Sequence, residues 1–342
     1  CTTNLPDPTI ADGSTAFEAI TYSGNSSTQV INTSFSADFI WTKVRNDTYR
    51  NALLDIIRGG SGLLHSDRTL AENTSTQIIS NFGSSSYTLT NDPNVNQTNK
   101  NYIAWAWDAG SSTVSNTDGS ITSSVRANQT AGFSIVSYTG NATNNATIGH
   151  GLNAVPEFAI FKDRDTTRGW AIYHKDVDPK VLNFDTAAAI QSQEQFNETT
   201  PTSSVFTLGS GGRTNQNNSD VICYAFTSVS QYSAFGSYTG NGSSDGPFVF
   251  TGHRSQFLLV KQSSASGEDW WIVDTTRETF NAQDQILLPN SNNAEITTTN
   301  PIIDILSNGF KLRNANARFN GSGATYVFAS FASHPFKTAR AR

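Results

Sequence analysis

The residues of this chain that could carry chemistry are few: five histidines, two pairs of alternate aspartates and six tryptophans among 342 residues. His65, His150, His174, His253 and His334 show neither HxH nor HExxH spacing, so they predict no zinc site. His150 and His253 each follow a glycine in comparable loops and read as backbone-bonded structural residues, with ligand contact as the alternative. A glycosidase needs two carboxylates about 5–9 Å apart. Alternate acids stand at Asp163/Asp165 and Asp176/Asp178, but both pairs lie among turn residues without counterparts elsewhere in the chain. They read as solvated loop acids, with oxygen ligation of Ca²⁺ as a weaker alternative. No G-x-S-x-G elbow occurs, and the glycine runs at 59–62 and 209–212 lack a strand-to-helix frame. No catalytic residue, resident metal or cofactor is expected.

Trp170 and the adjacent Trp270 and Trp271 are the candidates for a glycan platform, because sugars stack on exposed aromatic rings. With His150 and His253 they form the candidate ligand-binding set. Neighbouring strand residues point to opposite faces, so one of Trp270 and Trp271 must leave its own core. Contact between modules is the preferred use of these rings. Trp105 and Trp107 share one strand face and read as a core stripe. Cys223 sits inside an apolar strand as an inert thiol.

The elements that would position these residues are written three times. FEAITYSGN (17–25), FSIVSYTGN (133–141) and FGSYTGN (235–241) each give a strand ending in Tyr, then a Gly-Asn turn able to take positive φ. Phe39 to Lys43, Phe158 to Lys162 and Phe257 to Lys261 follow, apolar at both parities, as in strands buried on both faces. Each lysine stands at its strand end, where the stem packs and the head reaches water. An aromatic-x-Leu strand and a closing strand complete each copy. The separation from that Leu to the final aromatic is 18, 18 and 19 residues (Leu89 to Trp107, Leu208 to Phe226, Leu312 to Phe331), the constancy a fixed hairpin register requires.

The chain therefore reads as all-β: three tandem β-sandwich modules, jelly-roll or lectin-like, of about 100 residues each. Little or no helix is expected, 185–198 being the one short candidate. The divisions are an extended linker over 1–13, modules over 14–110, 131–232 and 233–337, a polar linker over 111–130, and a basic tail over 338–342. The short connection between the second and third modules predicts a stiff pair, with the first on a looser hinge. No apolar run approaches the length of a membrane-spanning helix. Basic residues cluster only at the C-terminal end, which is no nucleic-acid footprint. Cys1 is where a lipoprotein would carry its lipid, but no signal segment precedes it, and an arbitrary cut is the preferred reading.

The run from Asn116 to Asn141, with Ile148-Gly-His-Gly-Leu152 and Pro156-Glu-Phe158, resembles a repeat family in virion proteins of marine tailed bacteriophages. So do the segments Tyr238 to Phe248, Asp304 to Leu312 and Phe331 to Phe336. The resemblance covers most of 110–337 and, through the repeat, 14–110. It implies a non-enzymatic tail-fibre, appendage or head-decoration protein in the virion, an extracellular location. The implied partners are further copies of the chain, a trimer being favoured, other virion proteins and a host-surface glycan. The rival is a secreted or cell-surface adhesin or filament subunit, N-glycosylated at sequons such as Asn141 and Asn241.

Overall fold

In the computed structural model, which describes residues 4, 7–177, 180–189 and 194–337 (the Ser333 side chain apart), each repeat builds the same antiparallel sheet. Module 1 contains β1 (Phe17–Ser23), β2 (Gln29–Asn32), β3 (Phe39–Val44), β4 (Ala52–Asp55), β5 (Ile79–Phe82), β6 (Ser86–Leu89) and β7 (Asn101–Trp107). Module 2 contains β8 (Thr113–Asn116), β9 (Ser123–Asn128), β10 (Phe133–Thr139), β11 (Ala146–Gly149), β12 (Phe158–Asp163), β13 (Ala171–His174), β14 (Val205–Leu208) and β15 (Asp220–Phe226). Module 3 contains β16 (Ser233–Thr239), β17 (Phe248–Phe250), β18 (His253–Gln262), β19 (Trp271–Asp274), β20 (Gln285–Ile286), β21 (Ile296–Thr297), β22 (Ile303–Leu306), β23 (Gly309–Leu312) and β24 (Thr325–Pro335). The inner sheets run β1-β7-β3-β4, β10-β15-β12-β13 and β16-β24-β18-β19, one topology repeated. Smaller sheets, β2-β6-β5, β11-β14 and β17-β23-β22, form the outer layers.

The chain is all-β apart from α1 (Gly212–Asn215), α2 (Ala317–Asn320) and a 3-10 turn at Gly13–Thr15. The helix expected over 185–198 does not form in its described part, which is turn and loop, and residues 190–193 lie outside the described residues. The stretch 111–130 is no free linker. It forms β8 and β9, which extend the second inner sheet to β13-β12-β15-β10-β9-β8.

Burial on both faces has a reason that the sequence does not show. In β3, Ile40 faces the core of its own sandwich, with Leu54, Tyr87 and Leu89. Phe39 and Trp41 face the other way, into a core to which all three modules contribute. The same split separates Ala159 and Phe161 from Phe158 and Ile160, and Leu258 and Val260 from Phe257 and Leu259. At the centre the final aromatics of the three closing strands meet as a triangle. Trp107 to Phe226 is 6.3 Å, Phe226 to Phe331 is 5.4 Å and Trp107 to Phe331 is 5.5 Å between ring centroids. A residual void of about 10 Å³ among these rings has no polar lining, which leaves it too small and too apolar to hold water. The modules are thus not beads on a string. Module 1 packs against both others rather than swinging on a hinge, and Ile10, from the supposed linker, is buried in the shared core.

The Gly-Asn turn is locked identically in each copy. A buried Asn accepts the turn amide on its Oδ1: Asn96 from Asn25 at 2.8 Å, Asn215 from Asn141 at 2.9 Å, Asn320 from Asn241 at 2.8 Å. The motif Tyr donates to the carbonyl just before that Asn, at Val95, Thr214 and Phe319. Positive φ falls one residue beyond the Gly-Asn pair, on Ser26, Ala142 and Gly242. The motif glycines serve close approach instead: a Cβ on Gly24, Gly140 or Gly240 would lie 2.3 Å from a main-chain oxygen.

Phe226 touches rings from all three modules. Phe226→Ala is therefore expected to destabilise the whole chain by about 3–5 kcal/mol. Tryptophan fluorescence and far-UV circular dichroism should report one coincident urea transition at a lower midpoint. Loss of module 2 alone would contradict the shared core.

Candidate functional site

The ring systems proposed as a glycan platform are enclosed. Trp170, Trp270 and Trp271 are 0, 1 and 0% exposed, so no face is left for a sugar. Trp170 Nε1 donates to the carbonyls of His65 (3.1 Å) and Arg68 (3.0 Å) in module 1, and Trp270 Nε1 donates to that of Asn183 (2.8 Å) in module 2. These hydrogen bonds make both rings contacts between modules, and both also pack edge-on against Phe184 of module 2. Trp271 remains in its own sandwich, donating to Arg318 O at 3.2 Å.

His150 and His253 are buried as well and lie in different modules, so the structure does not gather the five residues into one site. His150 Nδ1 accepts from Leu152 N, which leaves Nε2 as the donor to Thr202 O. His253 Nε2 pairs with Ser330 Oγ at 2.8 Å. Asp163 is not a solvated loop acid. It is buried, with Oδ1 accepting the amides of Asp165 and Thr166 and Oδ2 accepting Ser219 Oγ. Asp165 Oδ2 caps the amide of Asp220. Asp178 lies outside the described residues. Among the described residues no three His, Cys, Asp or Glu side chains gather as a metal would need.

What the polar residues build is a ring of three joints. Between modules 1 and 2, Tyr224 Oη donates to Asp55 Oδ2 (2.7 Å) and accepts from Arg58 (2.9 Å). Arg58 also reaches Glu72 (2.6 Å), whose second oxygen takes Arg164 of module 2 at 2.7 Å. Between modules 3 and 1, Trp105 Nε1 donates to Asp274 at 3.3 Å. There Arg277 reaches Glu295 (2.7 Å), whose other oxygen takes Arg45 of module 1 at 2.9 Å. Burial alone would raise the Glu295 carboxyl, but the hydrogen bonds and charges of Arg45 and Arg277 outweigh it and hold it below its ordinary value. Between modules 2 and 3 the corresponding positions are neutral. His174 stands for the aspartate, Val177 for the arginine, and Ala329 for Tyr224 and Trp105. His174 Nδ1 accepts from Asp176 N, so Nε2 donates to Phe328 O at 3.2 Å. Each module thus presents one surface to the next and another to the previous, and the third closes on the first, a head-to-tail arrangement.

The strand-end lysines take part in this framework and do not reach water. Lys43, Lys162 and Lys261 are fully buried. Lys43 Nζ donates to the carbonyls of Val44, Tyr49 and, across a joint, Asn292. Lys162 donates to Asp163 O and, across another joint, Thr69 O, and Lys261 donates to Gln262 O. Burial pulls each pKa from 10.5 to about 8, against the upward pull of nearby carboxylates. For Lys43 and Lys162 the reason for the difference from expectation is that a loop of the neighbouring module covers the strand end where water was expected.

Two of the clefts that open at the joints lie just beyond the ends of β7 and β15. One of about 890 Å³, between modules 1 and 2, is lined by Phe82, Asp108, Arg126 and Asn128. In it Arg126 from β9 pairs with buried Asp38 at 3.0 Å. Burial outweighs that pairing and raises the Asp38 carboxyl. The other, of about 580 Å³ between modules 2 and 3, is lined by Glu157, Lys175, Phe235, Phe250, Thr251 and Phe336. Glu157 occupies the place of Asp38 and pairs with Lys175 at 2.7 Å. Phe250 stands 63% exposed at its rim. None of these lining residues was singled out as a binding residue from sequence, since in each cleft they come from five separate segments.

Fold and joints together define a class: an all-β chain of three repeated sheet modules closed around one aromatic core. The chain belongs to the family described as a domain of unknown function, DUF7483, whose model matches residues 12–335. That single match spans all three repeats, as a ring sharing one core requires. No curated protein and no solved structure matches the chain.

Two outcomes follow from the joints. Glu72→Gln leaves Arg58 and Arg164 facing each other with less compensation and should cost about 3 kcal/mol, read from urea midpoints. Wild-type stability there would contradict an ionic joint. Burial holds His150, His174 and His253 at about 4, 4 and 3, below the 6.5 of the unfolded chain. The unfolded chain therefore binds more protons below pH 6.5, and stability present above that value should fall as pH drops toward 4. The slope should be shallower in His150→Gln; a flat profile in the wild type would be the contrary result.

Proposed function

We propose that the chain is a non-enzymatic structural and adhesive component of a phage virion, in a tail fibre, appendage or head decoration, contacting the host surface or other virion proteins. The observation that carries this reading is where the charged chemistry goes. Asp55, Arg58, Glu72, Asp274, Arg277 and Glu295 recur at equivalent places and bind one module to the next. Of the aspartates that could have served glycan cleavage, Asp163 and Asp165 are tied up in turn and strand-end hydrogen bonds. Outward lie Ser-, Thr- and Asn-rich turns held by buried asparagines, a rigid display surface. The sequence resemblance to virion repeats supplies the setting.

The three-fold arrangement already exists inside one chain, since each module's two joint surfaces are occupied by its neighbours. Association of further copies, a trimer included, would use other faces. The rival, a glycosylated secreted adhesin, has less support. Asn241 Nδ2, the atom a glycan would take, donates to Asp245 O, and Oδ1 accepts from Ser243 N and Asn320. An antibody raised against the chain should label intact particles of the phage that encodes it in electron micrographs. Absence from purified particles, together with glycans at Asn141 or Asn241 by mass spectrometry, would favour the rival.

A further inference from the structure

We propose that the cleft between modules 2 and 3 binds a neutral pyranose residue, such as one unit of a surface polysaccharide. The proposal rests on the adhesive half of the reading above and names its ligand class.

The cleft exists because this joint is built differently from the one before it. Between modules 1 and 2 the chain inserts β8 and β9, and Arg126 from β9 closes on Asp38. Between modules 2 and 3 only residues 227–232 separate β15 from β16, no strand is added, and Glu157 is left at the surface beside Lys175. The recess has the volume of an ordinary small-molecule site.

Its two walls differ in chemistry. On one side Phe250 projects from edge strand β17, where Val249 turns inward and the phenyl ring stays 63% exposed. Leaving such a ring in water forgoes the stabilisation of burying its apolar surface, which a ligand covering it would recover. Half-buried Phe336 and the buried ring of Phe235 continue this apolar side. On the other side stand the Glu157 carboxylate, the Lys175 ammonium, and Ser228, whose Oγ donates to Glu157 Oε1. The carboxylate accepts hydroxyl protons and the ammonium donates to hydroxyl oxygens. Because the two charges compensate each other, the cleft offers hydrogen bonds without a net field for an ion. A pyranose has the complementary form, a C–H face for the aromatic wall and a rim of hydroxyls for the ion pair.

The test uses the ¹⁵N-labelled intact chain, titrated separately with maltotriose, triacetylchitotriose and galactobiose to millimolar concentration. At least one should give saturable amide shifts centred on Ser230, Gln231, Thr251 and Gly252. Phe250→Ala, at an exposed ring, should weaken that binding at least ten-fold. Phe248→Ala, on the same strand outside the cleft, should leave it unchanged. Four results would overturn the proposal: no binding by any of the three, shifts centred elsewhere, unchanged binding by Phe250→Ala, or a Phe250→Ala effect on sedimentation alone, which would make the ring a protein contact. Particle labelling without saccharide binding removes this site and leaves the virion reading. Saccharide binding without particle labelling does the reverse.

Discussion

The constraint on which this structure depends is that three closing strands end in aromatic residues that must share one place. Trp107, Phe226 and Phe331 each lie in register beside a Phe of strand β3, β12 or β18. Each inner sheet is therefore apolar on the side that faces away from its own sandwich. A single module in water would expose that side in full, including Phe39, Trp41, Trp105 and Trp107 for module 1. At about 25 cal/mol per Å² such exposure is unaffordable for a domain of about 100 residues. Closing three copies on one another removes it, and edge-on ring pairs add about 0.5–1.5 kcal/mol each.

The joints show how one geometry tolerates two chemistries. Joints 1–2 and 3–1 use a buried Asp-Arg-Glu-Arg array, and joint 2–3 uses His174, Val177 and Ala329. The replacements come as a set. An arginine without its acids would be an uncompensated buried charge, whereas a fully neutral joint of similar volume holds as well. The buried lysines follow the same logic, each charge being met by carbonyls of its own module and, for Lys43 and Lys162, by one from a neighbouring module.

Much of the fold was legible in the sequence, because strand register and turn chemistry are local. The triple Tyr-x-Gly-Asn motif, the two-face burial of Phe39 to Lys43 and the near-constant spacing to Trp107, Phe226 and Phe331 all correspond to strands in the structure. What the second face of those strands packs against was not legible, since periodicity reports burial without naming the partner. Hence the lysine heads were expected in water, and module 1 on a hinge. The clamping asparagines could have been found: Asn96, Asn215 and Asn320 each stand eleven residues before the final aromatic of the closing strand. Glu72 and Glu295 each follow an alanine, Ala71 and Ala294, at equivalent places in the repeat, but in the second copy Ala188 is followed by Ala189, which hid the pattern. The cleft was invisible, because its residues come together only when modules 2 and 3 dock.

The interior polar groups hold modules together, and in the proposed reading recognition falls to turns and to clefts where joints differ. The account stands or falls on whether the three repeats are one cooperative unit. Native-state hydrogen exchange in increasing sub-denaturing urea tests this directly, following amides of β7, β15 and β24. A shared core predicts that the slowest amides of all three strands converge on one opening free energy with one urea dependence. Three separate values, one for each module, would contradict it.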